Sequence, residues 1–110
     1  MVMSAVGDVN GAVDVLKAVA DPLRMRILTL LAREALCTSH LVEETGAKQT
    51  NLSNHLKILR EAGLVDTEPC GRFTYYKLRP DALESLAGLL GDLAATARAT
   101  ACADTKRSCP

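Results

Sequence analysis

The stretch QTNLSNHLKILREAGLV, residues 49–65, decides the fold. Leu52, Leu56 and Leu59 recur at helical spacing with Ile58 beside them, and Gly63 stops the helix. Between the leucines lie Gln49, Thr50, Asn51, Ser53, Asn54 and His55, with Lys57 one turn on. Ser, Thr and Asn are mediocre helix formers, so a dense run of them does not serve helix stability. Short hydrogen-bonding side chains reach base edges and phosphates when the N-terminal end of a helix enters the major groove of DNA. The plain alternative is a solvated helix face.

Upstream, residues 39–45 predict a shorter helix with Thr38 or Ser39 as its cap and Gly46 as its stop. Two helices joined by a tight Gly-containing turn form a helix-turn-helix. Before it, Asp21-Pro22 reads as a helix restart, with Asp as cap and Pro at the first helical position. Leu23, Ile27, Leu30 and Leu31 carry that helix to about Arg33, and residues 34–37 read as a connector. Val9, Val13, Leu16 and Ala20 give an amphipathic first helix.

Downstream, residues 64–68 and 73–78 predict two strands with Pro69-Cys70-Gly71-Arg72 as their turn. A hairpin directly behind a helix-turn-helix is a wing, and Arg72 falls at its tip. Lys57, Arg60, Lys77 and Arg79 add positive charge in the same stretch. Phosphate contacts from such residues give salt-dependent affinity with little sequence information. Leu83, Leu86, Leu89, Leu90, Leu93 and Ala97 then stripe a last helix. So small a domain has little core left for that stripe or for the first helix. Both are expected to pair with their copies in a homodimer, whose twofold axis sets two reading helices one DNA turn apart. The expected fold is mostly α with a small β-hairpin, a winged helix-turn-helix in the order α-α-α-α-β-β-α, dimerising through its first and last helices. Residues 1–8 read as a flexible leader, 9–101 as the DNA-binding and dimerisation domain, and 102–110 as a Cys-containing tail.

The whole chain agrees with this reading. Its 110 residues suit one domain. Aromatics make up only 3%, so the core must be aliphatic. Thirteen Lys and Arg balance thirteen Asp and Glu, so any basic footprint on DNA has to be local. No signal pattern and no bilayer-length apolar run occurs, which makes the cytoplasm the expected location and a membrane an unexpected partner. No nucleophile elbow, Gly-rich phosphate loop or paired carboxylates suggest an enzyme or an organic cofactor. A dimeric interaction module that ignores DNA is the remaining alternative. The four cysteines, at 37, 70, 102 and 109, form no CxxC pair. In a cytosolic chain such thiols more often bind metal or react than form structural disulfides.

The stretches KAVADPLRMRILTLLA (residues 17–32), ALCTSHL (35–41), QTNLSNHLKILREAGLV and GRFTYYKL (71–78) resemble the ArsR/SmtB family of metal-responsive repressors. The resemblance implies a dimeric repressor that holds a palindromic operator in double-stranded DNA and lets go when an inducer binds. One site of that family uses Asp, His and Glu on the last helix. Here that helix has no His, since the only histidines are His40 and His55, which argues against a zinc, cobalt or nickel site of that kind. Another uses the motif ELCVCDL. In ALCTSHL, Cys37 matches the first cysteine, Ser39 replaces the second, and His40 replaces the acid.

One thiolate cannot build a soft-metal site. Some members of the family complete such a site with cysteines from a terminal segment, which here implies Cys102 and Cys109. Cys37, Cys102 and Cys109 would supply three thiolates, suited to As(III) or Sb(III) as inducer, with Cd(II) and Pb(II) as other soft candidates. Cys70 and His40 are further candidate donors. The bland readings are Cys37 as a small buried hydrophobe, Cys70 as incidental at the wing tip, and His40 as a surface residue. Some relatives sense oxidants or persulfides through a pair that Cys37 and Cys102 would match.

Overall fold

The computed structural model describes residues 9–103 and 106–109 of the chain. The expected leader, residues 1–8, lies outside them. Helix α1 is Val9–Val19 and buries Ala12, Val15, Ala18 and Val19 on one face. Val9, Val13 and Leu16 on its other side remain exposed. Helix α2, Pro22–Leu31, starts as its sequence dictates: Pro22 fits the first turn, where no amide donor is needed. The Arg24 backbone N–H donates to Asp21 Oδ2 at 3.0 Å. That hydrogen bond, reinforced by the Arg24 guanidinium, holds the Asp21 carboxyl below its ordinary value of 3.8.

The native state therefore binds this proton less tightly than the unfolded chain does. The cap's contribution is complete above the ordinary carboxylate range and is lost as pH falls through the lowered one. Asp21→Asn keeps an acceptor at the cap but removes the charge. It should flatten the acid side of the stability profile, read as urea midpoints from neutral pH down past 3.8.

The chain next forms a strand that the sequence does not announce. Strand β1, Leu36–Cys37, pairs antiparallel with the second wing strand, Leu36 opposite Tyr76 and Cys37 opposite Tyr75. The expected connector and two-stranded hairpin thus become a three-stranded sheet with the second wing strand in the middle. Two residues carry no periodicity, and the pairing comes from the free edge of the partner strand.

Helix α3, Thr38–Thr45, follows at once with Cys37 in the capping position. Gly46 ends it at φ +74, where a side chain would be strained, and its N–H donates to the Val42 carbonyl at 2.8 Å. Three residues later α4, Gln49–Glu61, begins. Gly63, at φ +77, turns the chain into β2, Val65–Cys70. Gly71 and Arg72 form a two-residue turn, with Gly71 at φ +63, and β3, Phe73–Leu78, returns along β2. Pro69 and Cys70, read as turn residues, are the last two of β2.

Helix α5, Pro80–Ala103, closes the described fold. It runs two residues past the expected domain boundary at 101, so the backbone of Cys102 is helical. The core collects Ile27, Leu41, Leu52, Leu56, Leu59 and Leu64, each at most 1% exposed, with Leu86 of α5 closing it. Every one of these is aliphatic, as the composition required. Among the described residues no helix is long and apolar enough to cross a membrane.

Candidate nucleic-acid interface and thiol site

Helix α4 is two-faced. Leu52, Leu56 and Leu59 are buried, while Gln49, Thr50, Asn51, Ser53, Asn54 and Lys57 are exposed. No side chain caps α4 at Lys48, so its first-turn N–H groups stay open to an outside acceptor. Such an end attracts phosphate through both its donors and its dipole. Lys48 is itself exposed there. It lies one residue outside the stretch that drew attention in the sequence, although its charge was legible.

Among the described residues Lys57, Arg60 and Arg72 enter no ion pair. Lys77 and Arg79 do. Lys77 Nζ lies 3.0 Å from Glu68 across the wing, and Arg79 lies 3.5 Å from Asp66 and 3.6 Å from Asp81. The local basic footprint is therefore smaller than the sequence count of cations: those two charges are largely cancelled within the wing and its root.

His55 departs from the rest of the polar run. It is half-buried, and the Arg24 guanidinium donates to its Nδ1 at 3.0 Å. The same guanidinium donates from Nε to the Ala18 carbonyl at 2.6 Å. In the sequence Arg24 is only one residue of the stretch 17–32, because nothing local shows its reach of 31 positions to His55.

The second cluster surrounds Cys37. Its thiol is buried, at 5% exposure, with Sγ 3.4 Å from His40 Nδ1. The Cys37 backbone N–H donates to the same nitrogen at 3.2 Å. His40 thus reaches back over the first turn of α3 as the acid of a capping box would. The His40 ring lies tilted on Tyr75 of β3, with centroids 5.9 Å apart. Beside them opens a cleft of about 530 Å3, lined in part by Arg33, Glu34, His40, Glu43 and Tyr75.

The structure brings Cys37 and His40 together. The sheet register sets Cys70 two strands over and two residues along, which separates its Cα from that of Cys37 by roughly 12 Å. Cys70 and Cys109 are exposed free thiols. The side chain of Cys102 lies outside the described residues. Among the described residues no group of three or more His, Cys, Asp or Glu could hold a metal ion.

Residues 21–67 match the family model described as bacterial regulatory protein, arsR family. An uncharacterised HTH-type transcriptional regulator of Methanocaldococcus jannaschii is 32% identical over 83 residues, 74% of this chain and 93% of that protein. The arsenical resistance operon repressor of Staphylococcus xylosus is 33% identical over 92 residues, covering 84% of this chain and 88% of its own. The solved ArsR-like transcriptional regulator from Rhodococcus sp. RHA1 superposes with a TM-score of 0.80 at 27% identity, over 88% of this chain and 92% of that one. A winged helix-turn-helix with a two-faced reading helix, matched over nearly the full length of such relatives, is a DNA-binding transcriptional regulator and not an enzyme, and the chain belongs to the ArsR family.

Proposed function

We propose that the protein is a homodimeric repressor that releases its operator when As(III) or Sb(III) engages the thiolates of Cys37, Cys102 and Cys109. One observation carries this reading. Cys37 belongs at once to the wing sheet, through its pairing with Tyr75, and to the start of α3, as its capping residue. A change at that thiol acts on both halves of the DNA-binding unit. A buried thiol beside an imidazole also offers the soft donor that thiophilic ions select, and each thiol loses its proton on binding. The remaining donors would come from the end of α5 and the residues after it. The similarity to an arsenical resistance operon repressor supports the same inducer class.

The dimer in this reading uses the exposed apolar residues Val9, Val13 and Leu16 of α1 with Leu90 and Leu93 of α5. Of these, Leu16 and Leu90 also line an apolar groove of about 520 Å3 between α1, α2 and α5. In the dimer Gln49, Thr50, Asn51, Ser53, Asn54 and Lys57 face the major groove, and Arg72 rides on the backbone at the wing tip. Arg72→Ala should weaken binding to every duplex about equally and lower the salt slope by about one. A loss confined to one sequence, seen in titrations at several salt concentrations, would contradict that assignment.

The inducer is tested by titrating the protein–operator complex with As(III), Sb(III), Cd(II), Pb(II) and Zn(II), following anisotropy of labelled DNA. Release by As(III) and Sb(III) at the lowest concentrations supports the reading. Release by Cd(II) or Pb(II) alone replaces the inducer. Release only by persulfide, with a linked Cys37–Cys102 peptide in the mass spectrum, replaces it with thiol redox sensing.

A further inference from the structure

One side chain fastens three helices. Arg24 projects from the first turn of α2, where its own N–H is held by Asp21. Its Nε–H donates to the Ala18 carbonyl at 2.6 Å. Ala18 lies in the last turn of α1, whose carbonyls have no partner within the helix, so the guanidinium acts as a cap on α1. Its Nη1–H donates to His55 Nδ1 of α4 at 3.0 Å.

The chemistry of that last bond is asymmetric. Arg is a donor only and stays charged, so His55 Nδ1 must accept. A neutral imidazole with Nδ1 as acceptor carries its proton on Nε2. The Asp21 carboxylate, at the cap of α2, and the Arg24 guanidinium are charged groups close to this ring. The bond is also placed where rotation matters. Leu52, Leu56 and Leu59 bury α4 along its apolar face, and the hydrophobic driving force behind that burial is non-directional. A charge-assisted hydrogen bond to a half-buried ring is directional.

We propose that Arg24 is a positioning residue for DNA reading: it clamps His55 Nδ1 to the end of α1, and so fixes the roll of α4 relative to the helix that carries the exposed apolar face. His55 then serves the protein through Nδ1 while its polar neighbours meet DNA. The proposal rests on the assignment of α4 as the reading helix.

Two substitutions of His55 separate positioning from contact. In His55→Asn the amide oxygen can take the place of Nδ1, and the outward nitrogen is lost. In His55→Gln the amide reaches the Nε2 position, and the acceptor near Arg24 is withdrawn. Binding is measured to a duplex selected by the wild-type protein from a randomised pool and to a scrambled duplex. His55→Asn should stay near wild type. His55→Gln and Arg24→Ala should each lose roughly tenfold on the selected duplex and little on the scrambled one. Their combination should lose no more than either alone. Nitrogen NMR of the imidazole should show the Nε2–H tautomer in wild type and a tautomer mixture in Arg24→Ala.

Loss in His55→Asn with retention in His55→Gln would overturn the proposal and make Nε2 a DNA contact. An Nδ1–H tautomer in wild type would overturn it without any DNA measurement. If the wild type shows no salt-dependent DNA binding, the assignment of α4 as a reading helix fails, while the tautomer still decides the clamp.

Discussion

Leu52→Ala should lower the unfolding free energy by about 3 kcal/mol, with a range of roughly 2–5 for such truncations. Leu52 has no exposed surface, and its neighbours on the same face, Leu56 and Leu59, are equally buried. Truncation removes a methine and two methyl carbons and leaves a cavity in the close-packed core that Leu52 shares with Ile27, Leu41 and Leu56. A domain of this size is stable by only about 5–15 kcal/mol, so the loss is a large fraction of the total. The effect on DNA binding should exceed the effect on folding at moderate temperature. Helix α4 carries almost no intrinsic stability on its polar face, and the leucines are what seat it. Urea denaturation gives the stability change, and operator titration gives the functional one. Leu52→Met, which roughly conserves volume, should cost less than about 1.5 kcal/mol and keep DNA affinity. If Leu52→Ala proved as mild as Leu52→Met, the helix would be held by something other than its leucine face.

The contrast between Leu52 and His55 marks how far the sequence carries. Leucines at helical spacing and glycines at +74° and +77° are local signals, and they place α4 and its flanking turns without tertiary information. The wing was legible for the same reason, since period-two aromatic and β-branched residues flank a Gly-containing turn. What was not legible depends on distant partners. Strand β1 exists only because β3 offers an edge. Lys77 and Arg79 look like free cations until the register sets Glu68 and Asp66 beside them. His55 shares its polarity with its neighbours, and only the fold distinguishes a ring tied to Arg24 from side chains facing outward. The thiol site divides in the same way. Cys37 stood out by motif, and His40 three residues on was within helical reach, so their meeting at 3.4 Å follows from local geometry. The tail cysteines depend on chain far from that turn, where spacing carries no information.

Cys37→Ser should abolish inducer response while leaving operator affinity within about threefold of wild type, less than 1 kcal/mol. The wild-type protein, if coupled as other allosteric regulators are, should lose roughly 5–150-fold in operator affinity when the inducer is bound. The serine variant should show none of that loss across the same As(III) range. Serine is the informative replacement because it protects the fold. Cys37 occupies the capping position of α3, where a hydroxyl is a better acceptor than sulfur. The Cys37 backbone N–H bond to His40 Nδ1, at 3.2 Å, does not involve the side chain and is kept. The first turn of α3 should therefore be kept or slightly strengthened, and a lost response would report lost thiolate chemistry. Cys70→Ser supplies the opposite control. Within one chain the register sets Cys70 too far across the sheet from Cys37 for both thiolates to bind one ion, so its response should match wild type. Normal release by As(III) from Cys37→Ser would move the sensing site away from α3. Loss in Cys70→Ser would instead require the wing to rearrange on binding, and a change in β2–β3 amide exchange on adding As(III) would reveal that rearrangement.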